Sequence, residues 1–158
     1  NELGYPKISM FFFIVLALLI IIPRPFVGKF FDKKGANALV YPGTIILVIG
    51  LLLLAFSNQI WSLLLAGGII GLGYGALFPV YQTLSISAAP QERAGTASAS
   101  FFLMYDIGIG LGAFVLGIIS ARIGFSNMYI IASFIAILSL VTYILVNKKS
   151  NRRKQEIQ

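Results

Sequence analysis

The chain has no cysteine and no histidine, a single tryptophan, and little charge of either sign. Without cysteine there are no disulfides, no thiol nucleophile and no thiolate metal site. Without histidine the usual proton shuttle near neutral pH is absent. Acids are scarcest: five Asp and Glu stand against twelve Lys and Arg in 158 residues, a net charge of +7. Paired carboxylates, nucleophile–base sets and metal ligand clusters are therefore lacking, so an enzyme is not expected, and neither a cofactor nor a metal. Only 11% of residues are charged and 58% are hydrophobic, where a soluble domain has about 25% and about 45–50%. Too few polar residues remain to clothe a solvated surface, and lipid is the expected solvent. The bases fall in short segments between apolar runs, which fits orientation in a membrane and speaks against nucleic acid.

What the chain does have is five long apolar stretches. The expected spans run over about 8–24, 38–56, 60–88, 94–120 and 128–146, followed by a basic tail over 148–158. About 20 apolar residues suffice to cross a bilayer as a helix, so the fold class is an all-α membrane protein. Connections are short, at Ser57–Gln59, Pro90–Arg93 and Arg122–Asn127, so neighbouring helices run antiparallel. Ten bases (Arg24, Lys29, Lys33, Lys34, Arg93, Lys148, Lys149, Arg152, Arg153 and Lys154) fall on one side, and two, Lys7 and Arg122, on the other. Basic loops stay in the cytoplasm, which puts the N-terminus outside and the C-terminus inside. Trp61 and Tyr129 fall near the outer ends of their spans. The second and fifth spans are almost wholly aliphatic and suit a lipid-facing position. The third and fourth, rich in glycine and carrying polar groups, are expected inside. The chain opens Asn1-Glu2-Leu3-Gly4 and enters a span almost at once, which reads as a piece of a longer polypeptide.

Asp106 lies near the middle of the fourth span. A carboxylate there costs about 2.5–3.5 kcal/mol on insertion scales. It is tolerated if it faces a cavity, has a partner or is protonated. Low dielectric favours the neutral form of a carboxyl, which suits uptake and release of a proton in a cycle. A structural Asp, bonded to a neighbouring Tyr, Ser or backbone group, fits the same residue, and so does a misplaced loop. No base lies inside a span to pair with it. Gly67, Gly71 and Gly75 on the third span, and Gly108 and Gly112 on the fourth, have the spacing that lets helix backbones approach. The Gly108/Gly112 ridge points mostly away from Asp106 at roughly 100° per residue. Tyr74, Phe78 and Tyr81 share a stripe of the third span, with Gln82 beside it and Pro79 interrupting the backbone bonding. Together with Phe102 of the fourth span they are candidates for a cavity that takes an organic substrate; plain packing accounts for such a stripe equally well. Gly28 and Gly35 permit a tight turn around Lys29–Lys34, in which Asp32 can cap a helix N-terminus. The segment lacks the glycine spacing of a phosphate loop. The tail is a polybasic run that anchors against anionic lipid.

Arg24-Pro25-x-x-Gly28-x-x-x-Asp32-Lys33-x-Gly35 resembles the signature loop of the major facilitator superfamily, with Ala36 and Asn37 departing from the trailing bases as in the second copy of that motif, between helices eight and nine. Glu92-Arg93-Ala94-Gly95, in the loop before the fourth span, resembles the loop before helix eleven. Asp106 to Gly112 resembles the helix-eleven pattern of the drug–proton antiporter-like members. The resemblance implies that the five spans are helices eight to twelve of a bacterial twelve-helix transporter of the cell membrane, whose N-terminal half is missing. Helices eight, ten and eleven would line the cavity, with nine and twelve peripheral. Arg24, Gly28, Asp32, Lys33 and Gly35 would gate the conformational change, Asp32 by capping helix five. Arg93 and the start of the fourth span would meet the first copy of the loop. The implied function is secondary transport of a small organic molecule by alternating access between repeated halves, with protons as coupling ion and Asp106 as coupling residue. The resemblance tilts toward export; the fold also serves import. A truncated or split subunit that does not transport, and scaffolds or regulates a partner, is the competing expectation.

Overall fold

Two prolines break the first span. In the computed structural model, which describes residues 6–156 and the side chains of 10–148, helix α1 covers Pro6–Ile21 and helix α2 Arg24–Lys34. Pro23 and Pro25 carry no N–H, so two donors are lost in sequence. The backbone at Pro23 nonetheless keeps right-handed helical angles, and the amides of Phe26 and Val27 reach its carbonyl at 3.0 and 2.9 Å. The helix therefore resumes at once. This corrects the expectation of a glycine turn at Gly28: that residue is inside α2, and the chain turns only at Gly35, whose φ of 75° suits glycine. The rest follows as α3 (Asn37–Ala55), α4 (Ile60–Ser87), a 3₁₀ turn (Gln91–Arg93), α5 (Ala94–Ile123) and α6 (Phe125–Glu156). A single residue, Gly124 with φ 84°, separates α5 from α6; the expected loop over Arg122–Asn127 is otherwise helical. The basic residues from Lys149 onward lie outside the described side chains.

Among the described residues five helical stretches are long and apolar enough to cross a membrane, α1 and α2 counting together as one over Met10–Lys34. The chain is a multi-pass membrane protein. α4 is its axis and packs on α1, α2, α3 and α5. Its glycines make this possible on two sides. Toward α1, a Cβ on Gly67 would meet the Phe12 ring at 2.6 Å, on Gly71 the Leu16 carbonyl oxygen at 2.7 Å, and on Gly75 the Ile20 carbonyl oxygen at 2.6 Å. Toward α3, a Cβ on Gly73 would lie 2.8 Å from the Leu47 nitrogen, and one on Gly50 of α3 only 2.9 Å from the Ile70 nitrogen. Backbone-to-backbone approach of this kind is what small residues give membrane helices. Val27, Val40 and Val80 form a buried cluster where α2, α3 and α4 meet.

Within this chain one expectation reverses, that of a lipid-facing second span, while the fourth span is open. The second span, α3, buries Val40, Gly43, Thr44, Gly50 and Ala55 between α4 and α6. The fourth, α5, buries none of its residues, and nothing comes within 4 Å of a Cβ built on Gly108 or Gly112. Within this chain those two glycines pack against nothing described. The physical reason is placement: α5 rests on α4 and α6 along one side only. α3 and α6 are also joined by polar contacts at one end. The Tyr143 hydroxyl and the Asn147 side-chain amide both donate to Asn37 Oδ1, at 2.7 and 2.8 Å.

Candidate functional site

Where α3, α4, α5 and α6 face one another they leave a cleft of about 410 Å³. α4 supplies Tyr74, Leu77, Phe78 and Tyr81, and α5 supplies Phe101, Met104 and Tyr105. Thr44 and Leu47 of α3 and Ala136 and Ser139 of α6 close it. On α4 the residues recur at helical spacing, so one face of the helix carries the whole wall. Pro79 lies within that turn; the Thr83 hydroxyl donates to its carbonyl at 2.8 Å.

Phe78 is the hub of the aromatic wall. Its ring lies 5.1 Å from Tyr105 and 5.8 Å from Phe101, both near edge-on, and 6.3 Å from Tyr74 in a stacked arrangement. Phe101 and Tyr105, one turn apart on α5, stack at 6.1 Å with planes 16° apart. Such edge-on and offset pairs are the geometries that ring quadrupoles favour. At the other end Tyr81 shares the lining with Thr44 and Ser139, and Thr44 Oγ1 donates to the Val40 carbonyl at 2.8 Å. None of the lining residues is charged. The cleft offers ring faces and hydroxyl groups, which suit a flat, largely apolar organic molecule with a few polar atoms.

Three of the expected cavity residues, Tyr74, Phe78 and Tyr81, line this cleft. Phe102 touches the Phe78 ring at 6.4 Å from outside the lining. Gln82 is half-buried on α4 and does not line it. Asp106 is exposed on α5; its neighbour Tyr105 enters the cleft and Asp106 does not. Arg24, Gly28, Asp32 and Lys33 are exposed on α2, with Lys34 5.2 Å above the ring of Phe30. Glu92 and Arg93 are exposed in the 3₁₀ turn, and Gly95 is exposed in the first turn of α5. The signature segment, the 3₁₀ turn and the cleft are thus three separate places. Phe101 and Tyr105 were missing from the expected site, although their i, i+4 spacing is a signal of the same kind as the stripe on α4. Thr44 and Ser139 carried no signal, because single hydroxyls are scattered through aliphatic spans.

Comparison with known proteins agrees with the resemblance read from the motifs. Residues 8–158 match the family model of the Major Facilitator Superfamily. The multidrug resistance protein Stp of Mycobacterium tuberculosis is 33% identical over 124 residues, 77% of this chain and 23% of Stp. The multidrug resistance protein MdtG of Dickeya zeae is 29% identical over 133 residues, 84% of this chain and 33% of MdtG. YhhS of Escherichia coli K12, an uncharacterized MFS-type transporter, is 27% identical over 97 residues, 61% of this chain and 24% of YhhS. No solved structure matches. The chain spans about a quarter to a third of the length of such relatives, and a match that runs from the first span to the last residue leaves one assignment: it belongs to the Major Facilitator Superfamily.

Proposed function

We propose that this chain is part of a secondary transporter that exports a small organic molecule in exchange for protons. The observation that carries the reading is the family match over all five spans, taken with relatives named as multidrug resistance proteins. The uncharged cleft of ring faces and hydroxyls supports an organic substrate over an ion or a sugar phosphate, because it offers no charged partner. In this reading Tyr74, Phe78, Tyr81, Phe101 and Tyr105 contact the substrate along part of its path. Transport rather than catalysis is the activity of the protein.

Asp106 is the proposed coupling residue. An exposed carboxylate in mid-span is costly against lipid, so further helices of the transporter would cover that face of α5 and enclose the acid in a polar cavity. Gly108 and Gly112 would seat those helices. The same cover supplies Asp32 and Arg93 with partners at the surface that carries most of the bases, the cytoplasmic side in this reading. The N-terminus of the chain then lies outside and the basic tail inside.

The test is efflux from proteoliposomes holding the complete transporter, with ethidium as probe and an imposed proton gradient. Asp106→Asn is expected to abolish gradient-driven efflux while leaving expression and downhill binding of the dye intact. Gradient-driven efflux at the wild-type rate in Asp106→Asn would remove Asp106 from the coupling step. Absence of any dye movement by the wild type would remove the export reading itself.

A further inference from the structure

A second concavity, of about 560 Å³, opens along α6 and is lined there by Ile135, Leu138, Thr142, Tyr143 and Val146. Tyr81 and Ser139 line it too, and the same two residues line the aromatic cleft. The two spaces are neighbours with a common wall. Ser139 is small and exposed, so the Tyr81 ring is the bulk of that wall. We propose that Tyr81 is a partition that sets the size limit of the substrate site. A flat ring system fits on the cleft side, and a molecule with a long side arm is stopped at the Tyr81 ring. The inference rests on the reading of the cleft as the place of an organic substrate.

The ring is braced from behind. The Tyr143 ring meets it edge-on at 6.2 Å, with planes 80° apart, a geometry that ring quadrupoles favour. Tyr143 is fixed in turn, because its hydroxyl donates to Asn37 Oδ1 at 2.7 Å and the Asn147 amide donates to the same oxygen at 2.8 Å. Tyr81 and Tyr143 both pack against the Val27, Val40 and Val80 cluster. The partition is thus held by α3, α4 and α6 together. Volume makes it matter. At about 410 Å³ the cleft is near the lower end of ligand pockets, about 300–1,000 Å³, and the space behind Tyr81 is larger than the cleft itself. That space is apolar, with Ile135, Leu138 and Val146 exposed along it. From Ser139 to Val146 it runs about 10 Å, at about 1.5 Å per residue. An alkyl arm continuing from the cleft would fit there once the ring is gone.

Binding of acridine orange and of N-nonyl acridine orange to the complete transporter in detergent tests this, by fluorescence polarisation. The dyes share one ring system and differ by an alkyl chain. Partition into the micelle is the same for every variant, so the ratio of the two affinities is compared between variants. The wild type is expected to bind both dyes about equally. Tyr81→Ala is expected to favour the nonyl dye by about tenfold, the gain that burying about two methylene groups gives. Tyr81→Leu, which keeps an apolar side chain on the valine cluster, is expected to do the same and decides the matter where Tyr81→Ala does not fold. Tyr81→Phe keeps the ring and is expected to keep the wild-type ratio. Tyr74 lines the cleft but not the groove, so Tyr74→Ala is expected to weaken both dyes and leave the ratio unchanged. A wild-type ratio in both Tyr81→Ala and Tyr81→Leu overturns the partition and leaves the transport reading standing. A wild type that already favours the nonyl dye about tenfold overturns it as well. So does a gain in Tyr74→Ala equal to that in Tyr81→Ala, since added room alone accounts for it. A wild type that binds neither dye, or acridine orange binding untouched by Tyr74→Ala, removes the cleft as the organic site, and the partition falls with it.

Discussion

α4 and α5 are nearly the same length, 28 and 30 residues, and each carries a run of spaced glycines and a set of aromatic rings. Their surroundings differ completely. α4 is enclosed on several sides and buries five glycines among its interior residues; α5 buries nothing. Glycine spacing therefore marks where a backbone is able to approach, and the partner decides whether it does. On α4 both glycine faces are met within this chain, one by α1 and one by α3. On α5 the glycines stand open, and its grip on α4 includes an aromatic one, Phe78 against Phe101 and Tyr105.

The sharpest way to break this contrast is to add bulk on α4. Gly75→Leu forces a side chain into the Ile20 backbone, 2.6 Å from where its Cβ would stand. Overpacking of that kind costs about 1–3 kcal/mol or more, and the thermal midpoint in detergent should fall sharply or folded protein should be lost. Next comes the aromatic grip. Phe78→Ala removes the hub of the ring cluster. Full burial would put the loss at about 3–5 kcal/mol, and a half-buried ring at about 2 kcal/mol. Protease nicking at the Gln91–Arg93 turn should rise as α5 comes away, with α1, α3 and α4 intact. The smallest effect belongs to Gly112→Leu. With nothing near that position, the stability of this chain should change by no more than about 0.5 kcal/mol. A loss as large as that of Gly75→Leu would mean that α5 has a close partner already within these five spans, and the contrast would fail.

The same contrast explains what could be read from the residues alone. Apolar length and turn residues mark the spans, because the bilayer fixes both. The stripe Tyr74, Phe78, Tyr81 marks one wall of the cleft, because a helix brings such residues to one face. Burial was not legible. The aliphatic α3 looked peripheral, yet glycines at 43 and 50 let it nest against α4, while α5 is open within this chain, which spans only part of its relatives' length. Polarity reports the medium a helix finally meets and does not say which neighbour provides it. The helical state of Arg24–Lys34 was hidden for another reason: two prolines and two glycines read as a turn, but a proline in the first turn of a helix starts it instead of stopping it.

Gly124 has a consequence for the order of assembly. One residue joins the two longest helices of the chain, and the Gly124 amide stays bonded to the Ser120 carbonyl at 3.0 Å while its own carbonyl receives the Met128 amide at 3.2 Å. The entropy lost in closing a loop grows with the logarithm of its length, and here it is close to the least that two crossings can have. The two arms of this hairpin meet without waiting for any distant segment. It can enter the bilayer as a preformed pair and then dock sideways, α6 onto α3 and α5 onto α4. Its positive φ makes that order vulnerable at a single point, since any side chain at residue 124 would strain the one joint on which both arms turn.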